Sequence, residues 1–152
     1  MASDLRRLTE IDWHDRVLLI EAAGALLFAS LAIKLVPFRT LAARLAGGGE
    51  ARRRGAGPVP AWPREIARVR WAIEACARRL PWRIVCFQKG LALHHILHRR
   101  GISTSLHYGV AQDSERGLTA HVWVTHRGEP VIGGEEAVRF TCLATFPPVG
   151  QP

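Results

Sequence analysis

Lysine is nearly missing from this chain. It occurs only at Lys34 and Lys89, so the 21 basic residues are almost all arginine. The formal charge of +8 would by itself fit nucleic acid or an anionic membrane as a partner. The arginines are spread along the chain instead of forming one stripe, and arginine and alanine at the expense of lysine is what GC-rich coding produces. The charge is therefore read as compositional, with no nucleic-acid partner expected. Cysteine is scarce as well. Cys76, Cys86 and Cys142 are an odd number without a CxxC spacing, which excludes a disulfide framework and a cysteine-based zinc site. A signal peptide is also missing, because Asp4, Glu10, Asp12 and Asp15 precede the first apolar stretch and no clear cleavage site follows it. A cytoplasmic location, reducing enough to keep a thiol free, is the expectation. No internal repeat is present, which excludes a repeat array.

A long uninterrupted apolar run is lacking too. Val17 to Val36 is apolar but broken by Glu21 and Lys34, and the unbroken part, Ala22 to Ile33, contains Gly24 and Ser30. It falls short of the about 20 residues that cross a bilayer. A buried or partner-facing helix ending at Pro37 is expected. The alternative is a membrane-associated helix, with Arg39 and Arg44 at headgroup level.

What is present suffices for one domain with an N-terminal extension: 152 residues, of which 48% are hydrophobic. The stretch Gly47-Gly48-Gly49 to Gly57-Pro58-Val59-Pro60, with Arg52-Arg53-Arg54 inside it, reads as a solvated linker. It divides an N-terminal helical region, 1–46, from a C-terminal domain, 61–152. In that domain Ile66, Val69, Ile73, Ala77 and Leu80 recur at helical spacing behind Trp62-Pro63, and Pro81 ends the helix. A further helix is expected from Cys86 to Gly101. Strands are expected at about 103–110, 118–125 and 129–132, the last two joined through His126-Arg127-Gly128. Phe140 to Phe146 reads as another short strand or an irregular cover. Helices followed by an antiparallel sheet make an α+β fold.

Two residues stand in contexts that suit thiol chemistry. Cys86 heads an amphipathic run, where the positive end of a helix favours thiolate over thiol. His121 opens the alternating run His121-Val122-Trp123-Val124-Thr125, and an imidazole within reach can hold the proton and return it to a leaving amine. Cys76 and Cys142 are expected to be buried small hydrophobes. His94, His95 and His98 are read as helix surface or core, not as metal ligands.

The strings Leu80-Pro81-Trp82, Cys86 with Leu91-Ala92-Leu93, and His98-Arg99-Arg100-Gly101-Ile102 resemble the cysteine-bearing core of the transglutaminase-like superfamily. Tyr108-Gly109-Val110, Ala120-His121-Val122-Trp123-Val124 and Gly128-Glu129-Pro130-Val131-Ile132-Gly133-Gly134 resemble its histidine-bearing hairpin. Arg139-Phe140, Leu143-Ala144-Thr145-Phe146 and Leu35-Val36-Pro37-Phe38 fit as well. In order and spacing the strings are similar to the leader peptidases of lasso-peptide biosynthesis. That resemblance implies a papain/transglutaminase-like cysteine-hydrolase core in which Cys86 is nucleophile and His121 base and then acid, with no metal and no cofactor. It implies three partners: the leader–core precursor peptide, a separate leader-recognition protein and an ATP-dependent cyclase. Acyl transfer to an amine, and a non-catalytic scaffold in a peptide-maturation complex, are the alternatives.

A full triad needs an acid to orient the imidazole. The resemblance implies an Asp across the hairpin in some relatives, where this chain has Gly133 or Gly134. Glu135 is the candidate substitute, because side chains two apart share a strand face. Asp113, a backbone carbonyl or an Asn/Gln side chain are the other ways to orient the ring. Gln88 receives no role. The second oxyanion-hole donor, besides the Cys86 N–H, is open.

Overall fold

The computed structural model describes residues 12–47 and 62–147. The expected linker lies outside them except for Gly47. Among the described residues five helices and four strands follow in the order α1 (Trp13–Leu35), α2 (Phe38–Gly47), α3 (Trp62–Arg79), α4 (Cys86–Arg99), β1 (Ser105–Asp113), β2 (Gly117–His126), β3 (Glu129–Ile132), α5 (Gly134–Ala137) and β4 (Thr141–Phe146). The strands form one antiparallel sheet in the order β3-β2-β1-β4.

Local chemistry sets the boundaries. Val36 is extended (φ −111°, ψ 126°), as a residue before proline must be, and this ends α1. Pro37 was expected only to stop a helix. Its carbonyl also accepts from the N–H groups of Thr40 and Leu41, so it starts α2. Gly101, at φ 77°, closes α4, with Ile102 N–H bonded back to the Leu97 carbonyl and the Ile102 side chain buried. Asp113 Oδ1 accepts from the N–H groups of Glu115 and Arg116 and shapes the β1–β2 turn. Arg127 (φ 52°) and Gly128 (φ 86°) make the two-residue β2–β3 turn.

Helix α4 is the axis of the molecule. Its Leu93, Ile96 and Leu97 meet Leu18, Ala22 and Leu26 of α1, Val69 and Ile73 of α3, and Leu106, Val122 and Val124 of the sheet in one core. The N-terminal region therefore packs directly on the C-terminal one. Asp15 of α1 pairs with Arg68 of α3, and Glu21 with Arg100 beyond α4, which fixes the same arrangement from outside. Gly90 lets α4 press on the sheet: a Cβ there would lie 2.9 Å from Val122 Cγ1. Cys86 is one helical turn before that contact, and Val122 is the neighbour of His121 along β2. The close approach therefore brings the start of α4 to the strand that carries His121.

His94 of α4 is 6% exposed, and its Nδ1 lies 2.7 Å from Thr104 Oγ1. Burial, with His98 and His95 nearby, pushes its pKa down to about 4. The unfolded chain takes up this proton from about pH 6.5, whereas the folded chain resists until about pH 4. Stability is then present above pH 6.5 and declines by about 3 kcal/mol as the pH falls through that window. Urea midpoints measured from pH 7.5 to 4 should show this acid limb in the wild type. The limb should be shallower in His94→Gln, which keeps the contributions of His95 and His107, whose burial also lowers their pKa.

Candidate active site

The approach to α4 is held by a small polar network. The Val85 N–H donates to Gln88 Oε1 at 2.7 Å, so the third helical residue caps the helix that Cys86 begins. Gln88 Nε2 in turn donates to Ser30 Oγ at 2.9 Å, and Trp82 Nε1 donates to the same oxygen at 3.3 Å. Ser30 spends its own proton on the Leu26 carbonyl at 2.7 Å. One donor and two acceptor sites are all a hydroxyl has, and all three are used. Ser30→Ala leaves the buried Gln88 amide without its partner and is expected to cost about 1–3 kcal/mol in urea unfolding, whereas Ser30→Thr restores most of it. A lone hydroxyl inside an apolar helix, and a Gln at the third position of another, were the sequence signals for this network.

His121 sits on β2 opposite Gly109 of β1 and is 7% exposed. Its Nε2 is 2.8 Å from the Gly133 carbonyl oxygen. That oxygen can only accept, so Nε2 carries the proton and the neutral ring keeps its lone pair on Nδ1. Phe140 lies against one side of the ring (centroids 4.9 Å apart), and Trp123 stacks at 6.1 Å. Trp123 continues the stack onto His107, and Gly109 makes room for it, since a Cβ there would meet the indole at 2.8 Å. The ring is thus fixed by one hydrogen bond and two aromatic faces.

Cys86 and His121 open onto the same cleft, about 670 Å³ in volume, between the start of α4, β2 and the 133–140 segment. Lys89, Arg83, Arg116 and Arg139 stand around it with Asp113, Glu135 and Glu136. The sequence profile of the transglutaminase-like superfamily matches residues 32–145. The chain belongs to the transglutaminase-like superfamily. No curated protein and no solved structure matches it. The matched region takes in the residues that line the cleft, whereas Ser30 and most of α1 precede it. The α+β fold of this transglutaminase-like domain, helices on a small antiparallel sheet with an N-terminal helix, is the one expected from the sequence.

The candidate orienting acids line the cleft of this transglutaminase-like domain but are engaged by other groups. Glu135 was expected to share a strand face with position 133. Gly133 instead adopts φ 72° and turns the chain out of β3 into the one-turn helix α5, so strand alternation ends before Glu135. The exposed Glu135 carboxylate faces Arg70 at 3.4 Å. Asp113 is spent on its own turn, and the Arg116 and Glu115 N–H groups hold it below the usual carboxylate range. The imidazole donates instead to the backbone carbonyl of Gly133, one of the two positions at which the resemblance led to an acid being expected.

Cys76, expected to be buried, is half-buried like Cys86, but of the three thiols Cys86 alone lines the cleft. Cys76 Sγ donates to the Leu19 carbonyl at 3.3 Å, and burial raises its pKa. Cys142 was expected to be buried and is exposed instead. It belongs to β4, whose first three residues are all exposed at the sheet edge. Its apolar neighbours in sequence face solvent too, with Leu143 61% exposed.

Proposed function

We propose that this transglutaminase-like domain is a cysteine peptidase that cleaves the leader from a lasso-peptide precursor. The observation that carries the chemistry is the His121 ring, pinned through Nε2 to the Gly133 carbonyl in the cleft that Cys86 heads. A ring so held offers Nδ1 as the base, and a dyad needs no carboxylate. Superfamily membership supports cysteine-based hydrolysis or acyl transfer. The hairpin and helix strings support the lasso-peptide branch.

The proposed reaction runs in two halves. The Cys86 thiol passes its proton to His121 Nδ1 as sulfur attacks the carbonyl carbon of the scissile bond. The tetrahedral oxyanion is stabilised by backbone N–H groups at the start of α4, which have no intrahelical acceptor. His121 then protonates the leaving amine, the C–N bond breaks, and the core peptide departs with a free N-terminus. The leader remains on Cys86 as a thioester. His121 next takes a proton from water, whose oxygen attacks the thioester. Leader carboxylate leaves and the thiol is restored. A separate leader-recognition protein delivers the precursor, and an ATP-dependent cyclase takes the core.

The test is mass spectrometry of a native precursor incubated with this protein and its recognition partner. Wild type is expected to yield separate leader and core masses, and Cys86→Ala only intact precursor. A leader joined to an added amine would mark acyl transfer in place of hydrolysis. Cleavage by Cys86→Ala at the wild-type rate would overturn the reading.

A further inference from the structure

Helix α1 is apolar on two opposite sides, and only one of them is packed. Leu18, Ala22, Leu26 and Ala29 face the core. Trp13, Val17, Ile20, Leu27, Phe28, Leu31 and Leu35 recur at helical steps on the other side. All are exposed, from 46% at Val17 to 76% at Leu35. The stripe runs the length of a 23-residue helix, about 35 Å. By length and hydropathy alone α1 is long enough to cross a bilayer, yet one face is committed to α3 and α4. A helix held in that way presents its free face along a surface. Scattered exposed apolar residues need no explanation, but a continuous stripe of this length marks an interaction site.

We infer that the free face of α1 seats this domain on an anionic lipid bilayer, with the helix lying in the plane of the headgroups. Charge separates lipid from a protein groove as the occupant. The two acids of α1, Asp15 and Glu21, are turned away and engaged by Arg68 and Arg100. The stripe ends instead among exposed cations, Lys34 at the end of α1 and Arg39 and Arg44 on α2. Trp13, 70% exposed at the other end, suits the depth at which indole rings settle. An apolar cavity of about 510 Å³ opens beside the stripe, between α1, α2 and α4, with Phe28, Leu31, Leu35, Leu41 and Leu91 in its wall and Arg44 among its lining residues. A cavity of that character suits an acyl chain with its phosphate on the arginine. Apolar burial combined with attraction to anionic headgroups is what holds such helices at interfaces. Most of the stripe lies before residue 32, where the family match begins, and none of it lines the Cys86 cleft. The inference therefore stands independently of the peptidase reading.

The test is flotation of the full chain with vesicles of phosphatidylcholine alone or with one quarter phosphatidylglycerol, at low and high salt. The expected result is binding to the anionic vesicles, at least tenfold weaker on neutral ones, and weakened by salt. Ile20→Asp/Leu35→Asp alters two residues that are 74% and 76% exposed. It should keep the wild-type circular dichroism and lose at least tenfold in vesicle binding. Arg39→Glu/Arg44→Glu should lose the preference for anionic lipid. Wild type that stays unbound overturns the inference, as does binding that the Ile20/Leu35 variant leaves unchanged. A lipid-independent dimer dissociated by that variant would assign the stripe to a second copy and would equally overturn it.

Discussion

In the proposed reaction, replacing His121 by Gln is expected to lower leader release by about 10²- to 10⁴-fold, the range for losing a general acid–base group. The Gln amide can still donate to the Gly133 carbonyl, which now accepts from Nε2 at 2.8 Å, and it fills much of the space beside Phe140. What disappears is the lone pair on Nδ1. Thermal midpoints should therefore stay within a few degrees of wild type while turnover collapses, and the two measured together separate chemistry from folding. A turnover within tenfold of wild type would remove His121 from the mechanism.

The second large effect concerns Gly133, and its direction runs against a simple reading of the triad. The family resemblance led to an acid being expected across the hairpin, so Gly133→Asp looks like a repair. It is expected to lower kcat by at least a hundredfold. Gly133 is at φ 72°, in the left-handed region that costs an L-residue about 1–2 kcal/mol. A Cβ would lie 2.8 Å from the Val122 carbonyl oxygen and 3.2 Å from His121 Nε2. Neither partner can yield easily, because Val122 is in the central part of β2 and buried, and the imidazole is 7% exposed and packed against Phe140 and Trp123. Relief requires the 133 backbone to move, and with it the carbonyl that holds the ring. A displacement of about 1 Å in a catalytic group suffices for a hundredfold loss. Gly133→Ala should show most of the same loss, since the Cβ and not the carboxylate causes it. A Gly133→Asp variant faster than wild type would mean that the carbonyl is a poor orienter and that the site is an interrupted triad.

Much of the fold was legible because hydrophobic periodicity and breakers coincide. Ile66, Val69 and Ile73 marked α3 between Pro63 and Pro81, and the alternation after Ser103 marked β1 to β3, with ends within a few residues. Helix α2 was not named from the sequence, because Pro37 reads as a stop and only its carbonyl bonds show it also as a start. Cys142 was misread because apolar neighbours in sequence do not reveal that a strand lies at the edge of a sheet. In the cleft, Cys86 stood out by its helix start together with the family strings, and His121 stood out through the family resemblance alone. The orienting group did not, because it is a carbonyl, and every residue has one. Its signal was indirect: Gly133-Gly134 after a short strand is where a chain can leave extended geometry. The same turn removed Glu135 from the face on which strand alternation had placed it. Ser30 looked like a flaw in an apolar helix until Gln88 and Trp82 were found bonded to it.

The most direct measurement is the intact mass of the protein after acid quench of a reaction with precursor and recognition partner. The account expects an adduct with the mass of the leader, located at Cys86 by peptide mapping and released by hydroxylamine as a thioester must be. It should be missing from Cys86→Ala and should accumulate when water attack is slowed. Leader release without any such adduct, or an adduct placed on Cys76 or Cys142, would contradict the central claim that Cys86 is the nucleophile of this cleft.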